Sequence, residues 1–82
     1  MEDARVKRLA WRARRGTKEL DVMIGGWLAE RFPQADESQR LAFEALLEVQ
    51  DPDLWDCLMG HARAPRDDWQ VIIDEIRARH RL

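Results

Sequence analysis

The sequence predicts an all-α protein, a compact five-helix bundle formed by one domain over residues 1–82. Apolar residues recur at three- and four-residue spacing in five separate stretches, and no stretch shows the strict alternation of a half-buried strand. Glycine or proline lies near the boundaries of these stretches, where helices start or stop. A chain of 82 residues has room for one domain with a modest core.

The first predicted helix spans about residues 4–14 and stops at Gly16. Its apolar stripe consists of Val6, Leu9, Ala10 and Ala13. On a helical wheel Trp11 lies nearly opposite this stripe, close to Arg8 and Arg15. A tryptophan that faces away from the core among arginines is typical of an interface anchor. Packing of Trp11 beneath the C-terminal tail is the alternative, and the sequence supports both equally.

The second predicted helix spans about residues 17–31, with Thr17 as its candidate N-cap and Pro33 after its end. Its buried stripe consists of Leu20, Ile24, Trp27 and Leu28. Gly25 and Gly26 interrupt this helix at a cost of about 1 kcal/mol each. We expect the two glycines to allow close approach of another helix.

The third predicted helix opens with Asp36 and Gln39, which are spaced as a capping box. Its inner face consists of Leu41, Ala45, Leu46 and Val49, with Phe43 and Leu47 on a second face. The short fourth helix is predicted between an Asp51 N-cap and a Gly60 stop, with Pro52 in the first helical position.

The fifth predicted helix follows Pro65, with Asp67 or Asp68 as its N-cap. Its amphipathic stripe consists of Trp69, Ile72, Ile73 and Ile76. The basic tail after this stripe is expected to be solvated. Short connections between the five helices favour antiparallel packing in a compact bundle.

Charge is distributed unevenly along the chain. Residues 1–19 hold seven basic and three acidic side chains, whereas residues 20–82 hold seven basic and thirteen acidic ones. A basic segment on an acidic body indicates a polar docking surface for a partner. Attraction between the two parts of the folded chain is the simpler interpretation.

The sequence offers little support for catalysis or for a bound cofactor. It contains no glycine-rich phosphate loop and no zinc-binding spacing. Cys57 and His61 are four residues apart on one predicted helix, but two ligands do not complete a zinc site. We therefore expect neither an enzyme nor a tightly bound metal or flavin. A single cysteine, no secretory signal and no apolar run of about 20 residues favour a cytoplasmic protein.

The turn between the first two helices carries the most informative motif, Arg15-Gly16 followed by Glu19. Arginine at a helix end and glutamate at a helix start both suit the helix dipoles, which is the structural interpretation. The functional interpretation is an exposed Arg–Gly–Glu corner on which another protein docks. In that case glycine allows the partner to approach the backbone closely.

Two segments resemble a known family. Residues 14–21 match the RRGxxELD signature of the bacterial succinate dehydrogenase assembly factors (SdhE, also called YgfY or the antitoxin CptB), and Arg8 and Trp11 fit the same block. Residues 46–55 are similar to the family's LLExxDPDLxxWLM segment, and the likeness extends from about Arg5 to Ile76. The sequence departs from the family pattern at Thr17 and Lys18, which are often apolar, and at Cys57, which is often aromatic.

The resemblance implies a five-helix fold and a role in promoting covalent attachment of FAD to the flavoprotein subunit of succinate dehydrogenase or fumarate reductase. We also expect the chain to be a monomer. FAD is then the cofactor of the client protein, not of this chain. The resemblance assigns partner binding to the corner and to the residues beside it. The expected partner-binding residues come from the corner, from the helix before it and from the second motif. They are Arg8, Trp11, Arg15, Gly16, Glu19, Asp51, Pro52 and Asp53.

Two other classes of function remain open from the sequence. The basic first helix could bind nucleic acid in an antitoxin-type regulator, although the acidic body would repel phosphates. A structural homodimer could instead form through Trp11 or Trp55. DNA binding that weakens steeply with salt would favour the regulator, and a concentration-independent monomer mass would exclude the homodimer.

Overall fold

The computed structural model describes the backbone of residues 2–82 and the side chains of residues 4–82. Within this part of the chain it contains five α-helices and no strand, which confirms the predicted fold class. The α-helices are α1 (Glu2–Arg12), α2 (Lys18–Glu30), α3 (Glu37–Leu46), α4 (Asp51–Leu58) and α5 (Asp67–Arg79). A 3₁₀ turn at Phe32–Gln34, which contains Pro33, follows α2. None of the described helices is both long and apolar enough to cross a membrane.

Two of the predicted helix caps are confirmed. The Thr17 hydroxyl accepts a hydrogen bond from the Leu20 amide at 3.2 Å and caps α2. Asp36 and Gln39 form the reciprocal bonds of a capping box at the start of α3. In both cases side-chain oxygens satisfy amide groups that have no partner inside the helix.

The predicted N-caps of α4 and α5 are each wrong by at least one residue. Gln50 is the N-cap of α4, because Asp51 is already the first helical residue and Pro52 the second. The Gln50 side chain makes no capping bond. Arg66 is the N-cap of α5, with Asp67 and Asp68 in the first turn. Carboxylates in a first turn still stabilise a helix through its dipole, even without a capping bond.

Three aromatic side chains form the centre of the core. Trp27 stacks on Phe43 with 4.7 Å between ring centroids, and Phe32 meets both rings edge-on. Helix α5 closes the core with Ile72, Ile73 and Ile76. The predicted inner face of α3 is wrong at Leu41, which is 57% exposed, because Phe43 and Leu46 turn the helix so that Ala42 faces inward instead.

Ion pairs attach α1 to the acidic body. The Arg5 guanidinium bonds the carboxylates of Glu37, at 2.9 Å, and of Glu44. Arg12 forms a further pair with Glu48. The bond from Arg5 holds the pKa of Glu37 below its ordinary value. Ion pairs inside the folded chain therefore neutralise part of the charge difference between residues 1–19 and residues 20–82.

The basic tail is not simply solvated, contrary to expectation. Arg77 donates a hydrogen bond to the carbonyl of Leu58 at the end of α4, at 2.7 Å. Arg79 pairs with Glu30 at the end of α2. Gly60 lies just after the end of α4 and has a positive φ of 81°, which confirms the predicted stop. A Cβ on Gly60 would lie only 2.7 Å from the Arg77 guanidinium.

The two glycines of α2 do not have their predicted role of allowing close approach of another helix. A Cβ on Gly26 would meet only the flexible Arg79 side chain, at 3.3 Å, and a Cβ on Gly25 would meet nothing within 4 Å. Neither glycine has a positive φ. Gly25 therefore carries the entropic cost of glycine in a helix without a packing reason.

We expect Gly25→Ala to raise the free energy of unfolding by about 0.5–1 kcal/mol, because alanine restricts the unfolded chain more than glycine does. For a domain of this size the midpoint of thermal unfolding should rise by roughly 2–8 °C. Gly60→Ala is the matched control and should lower the midpoint, since its φ and the Arg77 contact oppose a side chain. A lower midpoint for Gly25→Ala would contradict the open space at this position.

Candidate functional site

The corner between α1 and α2 is held by two carboxylates from different parts of the chain. Helix α1 ends at Arg12, two residues before the predicted end, and residues 13–17 form the corner. The Arg15 amide donates to the carboxylate of Asp21, and the Gly16 amide donates to the Asp51 carboxylate at 3.0 Å. Two consecutive amides without helical partners are thereby satisfied.

Arg15 points into the molecule and not toward solvent. Its Nη2 donates to the carbonyl oxygen of Leu47 at 2.8 Å, and its Nη1 lies 3.5 Å from Asp51 Oδ1. The side chain is 11% exposed, so the expectation that all three residues of the Arg–Gly–Glu corner are exposed is wrong for Arg15. The guanidinium links the corner to the connection between α3 and α4.

Glu19 is exposed in the first turn of α2, beside a shallow groove on the surface. The groove is lined by Thr17, Glu19, Leu20, Asp51, Pro52 and Trp55. Among the described residues, no side chain or amide is bonded to the Glu19 carboxylate. The fold thus brings residues 17–20 and 51–55, which are more than 30 residues apart in sequence, to one surface, with an unpaired carboxylate at its edge.

Asp53 is not part of this groove. Asp51, Pro52 and Trp55 line one side of α4, whereas Asp53 lines a second groove together with Val49, Cys57 and Trp69. Helical spacing explains the separation, because the side chains of residues 52 and 53 point about 100° apart around the axis. The structure therefore brings Asp51 and Pro52 to the corner but not Asp53.

Trp11 lies on the outer face of α1 and is 72% exposed, which contradicts packing beneath the tail. The Arg14 guanidinium stacks over its ring, with 5.4 Å from the guanidinium carbon to the ring centroid. Arg8 is exposed on the same helix and forms no ion pair with any described side chain. Trp11 and Arg14 line a shallow depression of their own, distinct from the groove beside Glu19.

Cys57 and His61 do not lie on one helix, contrary to the prediction. Helix α4 ends at Leu58, so His61 lies beyond the helix face on which the sequence placed it. No group of three or more potential metal ligands exists among the described residues. Burial, with Asp53 and Asp56 nearby, raises the pKa of the Cys57 thiol, which disfavours the reactive thiolate.

The expected partner-binding residues omit three residues of this region. Asp21 holds the Arg15 amide, Leu47 receives the Arg15 side chain, and Trp55 lines the groove beside Pro52. Asp21 lies inside the RRGxxELD signature, two residues after Glu19, so the sequence could have indicated its role at the corner. Nothing in the local sequence marks the carbonyl of Leu47 as an acceptor.

The family described as flavinator of succinate dehydrogenase matches residues 7–80, and this match spans both motifs of the groove. The chain belongs to this family. A FAD assembly factor SdhE of Methylococcus capsulatus is 50% identical over 71 residues, which cover 87% of this chain and 86% of that protein. A FAD assembly factor SdhE of Aliivibrio fischeri is 43% identical over 75 residues, covering 92% and 84%.

The family likeness also holds at lower identity over a longer stretch. A FAD assembly factor SdhE of Xylella fastidiosa is 38% identical over 77 residues, which cover 94% of this chain and 79% of that protein. These relatives belong to the family that the two motifs indicated.

Proposed function

We propose that this chain binds the flavoprotein subunit of succinate dehydrogenase, fumarate reductase or both, and promotes covalent attachment of FAD to that subunit. The observation that carries the proposal is the meeting of the two family motifs at one surface groove, with Glu19 exposed and unpaired among the described residues. A carboxylate left without an internal partner is free to pair with a cation or a hydrogen-bond donor of a client.

The proposed contact surface combines the groove with the outer face of α1. In the groove, Glu19 supplies charge, and Pro52 and Trp55 supply apolar area. The exposed Trp11 and Arg8 supply a second contact on α1. Aromatic and arginine side chains are enriched among residues that dominate binding energy. Asp53 faces the second groove and is not part of this surface.

In this proposal the chain acts as a chaperone-like assembly factor, not as an enzyme. It has no catalytic residue and holds no flavin or metal tightly, and FAD remains on the client. Binding favours a client conformation in which the linkage forms, and this requires only that the chain binds that conformation more tightly than the others. We propose that it does so as a monomer in the cytoplasm.

Capture of the client by the tagged chain tests the binding step. We expect the wild-type chain to retain the flavoprotein subunit from a lysate of its own organism, identified by mass spectrometry. Glu19→Arg should lose it, because a like charge facing a client cation costs several kcal/mol. Asp67→Arg, a charge reversal at a 96% exposed first-turn residue of α5, is the matched control and should retain it. Equal capture by Glu19→Arg would contradict the proposed surface.

A further inference from the structure

The Asp51 carboxylate joins the corner between α1 and α2 to the start of α4. Its Oδ2 accepts the Gly16 amide at 3.0 Å, and its Oδ1 lies 3.5 Å from Arg15 Nη1. The same guanidinium donates to the carbonyl of Leu47, just before α4. One side chain therefore fixes the corner backbone and the start of α4 relative to each other.

Gly16 is constrained by this carboxylate. A Cβ at Gly16 would lie 3.2 Å from Asp51 Oδ2, closer than ordinary van der Waals contact. The φ of Gly16 is not positive, so backbone strain does not require glycine at this position. The space is limited by the oxygen that holds the Gly16 amide, and a methyl group would require that oxygen to shift by a few tenths of an ångström.

We propose that Asp51 is a positioning residue, which holds the Gly16 amide and the Arg15 guanidinium and so sets where Glu19 and Pro52 are presented. Gly16 is required because any side chain displaces this carboxylate, and not because a client needs to approach the Gly16 backbone. Arg15 then acts through the corner geometry, and the role of Asp51 at the edge of the groove is to hold this geometry. The inference rests on the proposed function only for its effect on binding.

The first test uses the isolated chain and does not depend on any client. In Asp51→Ala the Gly16 amide should exchange its hydrogen about tenfold faster by NMR, which corresponds to about 1.4 kcal/mol. Asp51→Asn keeps an amide oxygen as acceptor, so its Gly16 exchange should stay within about threefold of wild type. Unchanged Gly16 exchange in Asp51→Ala would overturn the proposal.

The second test is a double-mutant cycle on binding to the purified flavoprotein subunit without covalent FAD. Gly16→Ala and Asp51→Ala should each weaken binding at least about tenfold. The double variant should bind no more than about twofold more weakly than Asp51→Ala alone, because both substitutions disrupt the same hydrogen bond between Gly16 and Asp51. A loss of about a hundredfold, as expected for independent effects, would show that Gly16 contacts the client directly and would overturn the proposal.

The two tests separate this inference from the proposed function. Absence of binding by the wild-type chain would contradict the proposed function, while the exchange measurement would still decide the role of Asp51. Should Asp51→Ala fail to fold, hydrogen exchange of the residue 16 amide in Gly16→Ala decides the question, because a methyl group that displaces the Asp51 carboxylate also weakens the bond to this amide. After allowance for intrinsic rates, this amide should exchange about tenfold faster than in the wild-type chain, and unchanged exchange would overturn the proposal.

Discussion

Trp27→Ala is expected to lower the free energy of unfolding by about 3–5 kcal/mol, the usual range for removing a buried aromatic side chain. Trp27 is 1% exposed, stacks on Phe43 and donates its indole N–H to the Glu75 carboxylate at 3.0 Å. Alanine would leave a cavity at the centre of the core and remove a bond from Glu75. For a domain of this size the unfolding midpoint should fall by at least about 12 °C.

Trp11→Ala is the matched control for that substitution. The same residue type, at 72% exposure, should change the free energy of unfolding by no more than about 0.5 kcal/mol. Circular dichroism during thermal or urea unfolding measures both variants. Similar destabilisation by the two substitutions would contradict the division between a core tryptophan and a surface tryptophan.

Glu19→Ala is expected to abolish most of the chain's support for flavin attachment while the protein stays folded. On an exposed first turn, loss of the dipole interaction should cost only about 0.3–1 kcal/mol, against a total stability of at least about 5 kcal/mol. At an interface the same loss would leave a client cation or donor unpaired, which costs about 2–5 kcal/mol. The expected free-energy cost of Glu19→Ala is therefore larger for a docking residue than for a helix-boundary residue.

The measurement for Glu19→Ala combines thermal unfolding with complementation of a strain that lacks the chain. Near-normal unfolding together with lost covalent flavin on the flavoprotein subunit would support a docking residue. Asp67→Ala, another exposed first-turn acid, should retain both properties. Full restoration of flavin by Glu19→Ala would mean that the corner is only a helix boundary.

The helices could be predicted from the sequence because their signals are local. The spacing of Ile72, Ile73 and Ile76, the capping box at Asp36 and the stop at Gly60 each depend on neighbouring residues, and the structure confirms them. Leu41 was misplaced because Ala42, which packs inward, has a side chain too small to stand out in an apolar pattern.

The corner could be predicted only in part. Its motif was visible, but the partner of the Gly16 amide lies 35 residues away along the chain. Local reasoning gave Asp51 a capping role in its own helix, whereas its carboxylate bonds Gly16 and faces Arg15. The low exposure of the Arg15 side chain, at 11%, was missed for the same reason, because its acceptor is a backbone carbonyl that no side-chain pattern reveals.

Covalent flavin on the flavoprotein subunit of succinate dehydrogenase, measured by in-gel fluorescence in a strain that lacks this chain, shows whether the chain promotes FAD attachment. We expect strong loss of fluorescence in the deletion strain at unchanged amounts of the subunit, and recovery when the wild-type chain is supplied. Unchanged fluorescence in the deletion strain would contradict the claim that this chain promotes FAD attachment.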